Sequence, residues 1–211
     1  VTDWDRFTDN YAAIPKLWEG GLGIPGGLAA GIPVGLLIAK RKGISMPMAA
    51  TCAAPAIPLA QAIGRLGNYF NQELYGKATN LPWALEIDDA HLLDGYAPGT
   101  TFHPTFLYEL LWSLALCGVL LWIDRKWRPG LGQLMAMYII GYGIGRFWVE
   151  GLRIDRADEL VGLRWNQWVA IAMVVGGSVA LAVMRRHPIL EETDVVDNDA
   201  ALEPAIADPD D

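Results

Sequence analysis

Gly64-Arg65-Leu66-Gly67-Asn68-Tyr69-Phe70-Asn71-Gln72-Glu73-Leu74-Tyr75-Gly76 follows directly on an apolar run from Met46 to Ile63. An arginine, two asparagines and a glutamate thus stand between glycines at the end of a hydrophobic span. Placing such groups near lipid is costly. They are tolerated where they are buried in protein or line a wet cavity, because only there do their donors and acceptors find partners. Asn68, Asn71 and Glu73 need hydrogen-bond partners, and Arg65 needs an anion, for which phosphate is an obvious candidate. The alternative for the same residues is a polar loop that merely turns the chain.

The composition around this stretch is that of a membrane protein. Of 211 residues, 53% are hydrophobic and 19% charged, below the roughly 25% charged residues of an ordinary soluble domain. The formal charge of −8 comes from the C-terminal end, where Glu191, Glu192, Asp194, Asp197, Asp199, Glu203, Asp208, Asp210 and Asp211 form an acidic tail that reads as disordered. Without that tail the remainder is an all-α polytopic membrane protein. No basic face supports nucleic-acid binding. Cys52 and Cys117 both fall in apolar runs and read as buried thiols rather than as a disulfide. The chain opens on Val1-Thr2-Asp3-Trp4-Asp5-Arg6, which is not a signal peptide and suggests a fragment or a processed chain.

Five spans are expected: 20–39, 46–63, 104–123, 131–150 and 167–184. The first is free of charge, rich in glycine, broken by Pro25 and Pro33, and closed by Lys40-Arg41-Lys42; its 20 residues cover about one bilayer. The second is weaker, with Pro47, Pro55 and Pro58 making it irregular. Residues 64–102 form a polar insertion in which Leu81–Asp88 suggests a short strand. Residues 1–19, with Trp4, Phe7, Tyr11 and Trp18, read as an interfacial segment, 20–187 as the transmembrane domain, and 188–211 as a cytoplasmic tail. The basic clusters Lys40–Lys42, Arg125–Arg128 and Arg185–Arg186 lie in short segments hard against span ends, so they belong to the cytoplasm. That places the N-terminus and every chemically interesting segment on the outer side.

Two further constellations share that side. Tyr142, Arg146 and Glu150 stand at i, i+4 and i+8, one helical stripe about 12 Å long. Gly141 and Gly145 form a GxxxG that lets a neighbouring helix approach. Arg146 and Glu150 could instead be a weak pair at a helix end. His103-Pro104-Thr105-Phe106-Leu107-Tyr108-Glu109 opens the third span with an imidazole, a hydroxyl, a phenol and a carboxylate; a histidine at a helix start is more often a cap or interface residue than a catalyst. Trp112, Trp122, Trp127, Trp148, Trp165 and Trp168 read as interfacial belt residues. No Cys/His metal spacing or Walker-type loop is present. A phospholipid head group fits this inventory, with Arg65 and Arg146 holding its phosphate bidentately and acyl chains lying between glycine-lined helices.

Gly64-Arg65-x-Gly67-Asn68-x-x-Asn71-x-Glu73-x-x-Gly76 closely resembles the signature of the prolipoprotein diacylglyceryl transferases. His103-Pro104-Thr105-x-x-Tyr108-Glu109 and Tyr142-x-x-x-Arg146-x-x-x-Glu150 are similar to later motifs of that family, in the same order. Trp18-Glu19-Gly20-Gly21-Leu22-x-x-x-Gly26-Gly27-Leu28 is similar to an earlier one. The resemblance implies transfer of a diacylglyceryl group from phosphatidylglycerol to the thiol of a lipobox cysteine in a prolipoprotein, in the bacterial plasma membrane, without metal or organic cofactor. It implies that Arg65 and Arg146 bind the phosphate leaving group, with Tyr142 and Glu150 beside them. Asn68, Asn71, Glu73, Gly76, His103, Tyr108 and Glu109 would shape the substrate cavity. Two positions depart from the family pattern: Pro25 stands where a histidine is frequent, and Thr51 where an aspartate is. The family also begins with further membrane helices, and residues 1–19 would correspond to the outer loop that follows them. A transporter or lipid-binding protein that recognises an anion without chemistry is the competing reading, and a purely structural membrane subunit is a third.

Overall fold

The computed structural model describes residues 24–155 and 159–186. The interfacial segment 1–19, the first four residues of the first expected span, and the acidic tail lie outside the described residues. The chain falls into two units, divided between Ala49 and Ala50. In the first, α1 (Ile24–Arg41) continues through Pro33. It ends where Gly43 adopts φ +70° and the N–H groups of Lys42 and Ile44 return to the carbonyls of Ile38 and Ala39, a left-handed glycine closing a helix. Ser45 Oγ then accepts the Met48 N–H at 3.4 Å, capping the start of α2 (Met46–Phe70).

The second unit holds most of α2, then α3 (Thr105–Trp127), α4 (Gln133–Leu152) and α5 (Trp165–Arg186), with two short antiparallel ribbons. Among the described residues a helix covers most of each of the five expected spans, and α2, α3 and α5 are long and apolar enough to cross a membrane. The second span differs from expectation. Instead of breaking at its prolines, α2 passes Pro55 and Pro58 and continues beyond Ile63 to Phe70. The alanine-rich stretch Ala49–Ala62 is a strong helix former, and membrane helices tolerate proline where neighbours satisfy the freed carbonyls. Gly64–Phe70 is therefore helix, not loop.

Small residues draw these helices together while large apolar ones face outward, the membrane pattern. On α5, Ala170 is buried while Val169, Val175, Val179 and Val183 are exposed. A Cβ on Gly143 would lie 2.9 Å from Ala170 O, and one on Gly177 would lie 3.2 Å from Ala136 O. The GxxxG pair faces α3: a Cβ on Gly141 would meet Leu116, and one on Gly145 would fall on the Trp112 indole. Trp112 Nε1 donates to Gly141 O at 3.0 Å, so this tryptophan lies between helices and is not a belt residue. Gly145→Ala is accordingly expected to cost about 1–3 kcal/mol, the range for overpacking, seen as a lower melting temperature in detergent micelles. Gly118→Ala, where a Cβ meets nothing within 4 Å, should leave the melting temperature level or slightly raised; equal behaviour of the two variants would refute this packing account.

The apolar centre of the bundle is Ala54, Leu120, Leu134 and Tyr138 from α2, α3 and α4. Cys117 is buried as expected, whereas Cys52 is exposed on α2; both are free thiols. The polar insertion folds around Tyr75, Ile87 and Phe102. There β1 (Leu85–Glu86) pairs with β2 (Thr101–Phe102), Leu85 opposite Phe102. The strand expected over Leu81–Asp88 shrinks to two residues because Pro82 sits in a turn closed by Ala84 N–H to Leu81 O at 2.9 Å. The second ribbon, β3 (Glu159–Leu160) with β4 (Leu163–Arg164), leads into α5.

Candidate active site

The last turns of α2 carry Arg65 and Asn68 on one face, three residues apart. Arg65 Nη1 donates to Asn68 Oδ1 at 3.1 Å. Asn68 Nδ2 and Asn71 Nδ2 donate in turn to Glu73 Oε1 at 2.9 and 3.1 Å, so both asparagines and the glutamate are matched within the motif. Gln72 and Leu74 adopt left-handed φ values of +49° and +60°, a conformation that needs support in a side-chain-bearing residue. The Gln72 amide provides it, donating to Asp88 Oδ2 at 2.6 Å and accepting the Asp88 N–H at 2.7 Å. Leu74 O accepts from the Thr105 hydroxyl at the start of α3.

The segment next ties two helices together. Gly76 N–H donates to His103 O at 2.9 Å, and Lys77 N–H to Leu152 O at 2.9 Å at the end of α4. A Cβ on Gly76 would lie 2.9 Å from His103 Cβ and 3.0 Å from Leu152 O. Glycine is thus required here for close approach, and the end of α2, the start of α3 and the end of α4 meet at one end of the unit.

At that meeting point the charges form a chain of alternating sign. One Glu109 oxygen is ion-paired with Arg65, and the other lies 3.4 Å from Arg146 Nη1. Arg146 Nη2 is 2.9 Å from Glu150 Oε2, an ion pair off the ideal hydrogen-bond axis. Glu150 is fully buried; its Oε1 takes Arg164 Nε at 3.2 Å and Asn166 Nδ2 at 3.1 Å. Arg153 approaches Glu150 Oε2 at 3.8 Å and forms two bonds to Asp155, at 2.7 and 3.0 Å. Burying so many charges is tolerable only because each has a partner. Arg65, Arg146, Arg153 and Arg164 outnumber Glu109, Glu150 and Asp155 in this linked set, which leaves it receptive to an anion.

Beyond the end of α4, burial alone would raise the Asp155 carboxyl, but Arg153 and Arg164 hold it below the usual carboxylate range. Burial likewise opposes the charge on Arg153. The Asp155 bond and the nearby Glu150 and Glu109 carboxylates overcome it, and the guanidinium stands above its ordinary value. In the insertion, burial pushes the Tyr75 phenol up, opposed by the Leu93 N–H that it accepts at 2.8 Å.

The other expected residues lie around this chain. Tyr142 shares with Glu109, Trp112 and Arg146 a cleft between α3 and α4 of about 10 Å³, room for one water at most. Tyr108 Oη accepts Trp83 Nε1–H at 2.9 Å and lies 2.9 Å from His103 Nδ1. Pro104 stands just before α3, whose first residue is Thr105, and makes no side-chain capping bond. Thr51, at the position of a frequent family aspartate, accepts the Gly132 N–H at 2.8 Å and so caps α4. Sequence reading did not single out Arg153, Asp155, Arg164 or Asn166. For Arg153 a signal existed, its i, i+3 spacing from Glu150; for Arg164, in a hairpin, none did. Among the described residues no group of three or more His, Cys, Asp or Glu side chains could hold a metal ion.

Comparison with known proteins bears on this arrangement. The chain is 54% identical over 178 residues to a phosphatidylglycerol–prolipoprotein diacylglyceryl transferase of Frankia alni, covering 84% of this chain and 46% of that protein. It is 52% identical over 156 residues to phosphatidylglycerol–prolipoprotein diacylglyceryl transferase 1 of Streptomyces coelicolor, covering 74% and 45%. A Cutibacterium acnes protein of the same name is 50% identical over 171 residues, covering 81% and 58%. The chain thus spans about half the length of the curated relatives it matches. The family profile described as prolipoprotein diacylglyceryl transferase matches residues 3–183, a range that contains every residue of the charge chain, and the protein belongs to that family.

Proposed function

We propose that the protein transfers the diacylglyceryl group of phosphatidylglycerol to the lipobox cysteine thiol of a prolipoprotein and releases glycerol phosphate. The observation that carries this reading is the convergence of Arg65 and Arg146 on the two oxygens of Glu109. Guanidinium groups from separate helices that span one carboxylate can also span one phosphate. In the resting site Glu109 stands where the anion would bind.

The cysteine thiol gives up its proton to water, and the thiolate attacks the glyceryl carbon that carries the phosphate oxygen. A carbon–sulfur bond forms, the carbon–oxygen bond breaks, and its electron pair leaves on glycerol phosphate. Only the thiolate is nucleophilic enough for the attack, and the growing charge on the departing phosphate is what fixed cationic donors stabilise. Asn68 and Glu73 hold Arg65 from one side, and Glu150 holds Arg146 from the other.

The apolar half of the substrate also has a place. Met135, Ile139, Tyr142 and Arg146 follow one face of α4. Met135 and Ile139 line an open groove of about 380 Å³ whose walls include Gly132, Met173, Gly176 and Gly177. Arg146 stands about 16 Å along the helix from Met135, comparable to an extended acyl chain. A lipid with its phosphate at the arginines would run its chains down α4. The cytoplasmic assignment of the basic clusters at the opposite helix ends puts the arginines at the outer face of the plasma membrane and the C-terminus in the cytoplasm.

The test is the full-length protein in vesicles containing labelled phosphatidylglycerol, supplied with a lipobox peptide. Label in a thioether on the peptide cysteine is the expected result. Reversible binding of the lipid with no label on the peptide would replace the transferase by a lipid-binding or transport protein.

A further inference from the structure

We propose that Arg164 is a positioning residue that sets how tightly the site holds the lipid phosphate, by taking up the charge of Glu150 so that Arg146 stays available to the anion. This rests on the phosphate reading above. Glu150 is the buried hub of the charge chain, with Arg146 at one oxygen and Arg164 with Asn166 at the other. The two guanidinium groups are used differently. Arg164 is saturated. Its Nε meets Glu150 Oε1, Nη1 donates to Glu150 O and Arg153 O at 3.2 and 2.9 Å, and Nη2 donates to Asp155 O and Oδ2 at 2.7 and 3.1 Å. It has no donor left for a ligand and is itself buried.

Arg146, by contrast, has two carboxylate partners, one at 3.4 Å and the other off axis, and lines the cleft beside Tyr142. Its unused N–H groups are the ones an incoming phosphate can take. If Glu150 had no second cation at its other oxygen, its whole charge would fall on Arg146, and the Arg146–Glu150 pair would present less net positive charge to any anion. Arg153 cannot substitute well: it sits 3.8 Å from Glu150 and is bound through two nitrogens to Asp155. Arg164 also accounts for the geometry of α4, since it holds the carbonyls of Glu150 and Arg153 where the helix ends. A purely structural cap would make the same carbonyl bonds, so the test must separate the two roles.

Glycerol 1-phosphate is titrated calorimetrically into the full-length protein in detergent micelles, as wild type, Arg164→Gln, Glu150→Gln and the double variant. Arg164→Gln is expected to weaken binding about tenfold, one charge-assisted interaction. With Glu150 also neutral there is no charge left to divert, so Glu150→Gln and the double variant should bind alike. Wild-type affinity in Arg164→Gln, or an equal loss on adding it to Glu150→Gln, overturns the proposal; the second outcome would mean that Arg164 only caps the helix. Should Arg164→Gln fail to fold with Glu150 left charged, a loss of affinity from Glu150→Gln to the double variant still overturns the proposal. Wild-type protein that neither binds glycerol 1-phosphate nor transfers lipid removes the phosphate reading and this inference together. Wild type that does both, beside an unaffected Arg164→Gln, removes only the inference.

Discussion

Arg146→Ala is expected to lower kcat/KM for diacylglyceryl transfer by about 10²–10³-fold, the loss typical of removing one fixed donor from a developing negative charge. The protein should still insert and fold, because the change leaves no orphaned carboxylate. Glu150 keeps Arg164, Asn166 and Arg153, and Glu109 keeps Arg65. That matters for interpretation, since a buried carboxylate without a cation would be destabilising by several kcal/mol and would mimic a catalytic defect. Transfer measured beside thermal unfolding separates the two: a large loss of rate with little change in melting temperature is the predicted pattern. Near-normal turnover would take Arg146 out of the mechanism.

The second large effect is expected at Arg65, and it turns on shape rather than charge. Arg65 uses Nη2 for Glu109 on α3 and Nη1 for Asn68 on its own helix. A planar fork can do both in fixed geometry, whereas the ammonium of lysine is a single point with a flexible stem. Arg65→Lys is therefore expected to remain about 10–100-fold below wild type in kcat/KM, the scale of losing one or two charge-assisted bonds. Asn68→Ala, which keeps the guanidinium and loses only its brace, should cost less. Wild-type turnover in Arg65→Lys would argue that positive charge alone, without directed bonds, serves the phosphate.

The stripe Tyr142-Arg146-Glu150 was legible because it is local. Residues four apart on a helix are neighbours whatever the rest of the chain does, and the Arg146–Glu150 pair at 2.9 Å follows from that spacing. The helical spans were legible for the same kind of reason: runs of apolar residues leave the backbone few alternatives in lipid. Local signals were misleading where they concerned breaks. Pro55 and Pro58 read as interruptions, yet α2 runs through them, because in a membrane the hydrogen bonds that an unwound segment would give up have no water to replace them. Cys52 read as buried because its surroundings are apolar; on a lipid-facing helix surface, apolar surroundings and exposure go together.

What could be read from the order of residues was thus the class of fold, the helices and an inventory of charged groups that favours a lipid phosphate. The pairings among those groups required the folded chain. Arg65 with Glu109, Glu150 with Arg164, Gly132 with Thr51 and Gln72 with Asp88 are separated by long stretches of sequence, and no periodicity reports on them. They arise because Gly76, Gly141, Gly143 and Gly145 let particular helix faces and the signature turn approach closely. Packing at van der Waals distance selects one set of neighbours out of many that the charges alone would permit.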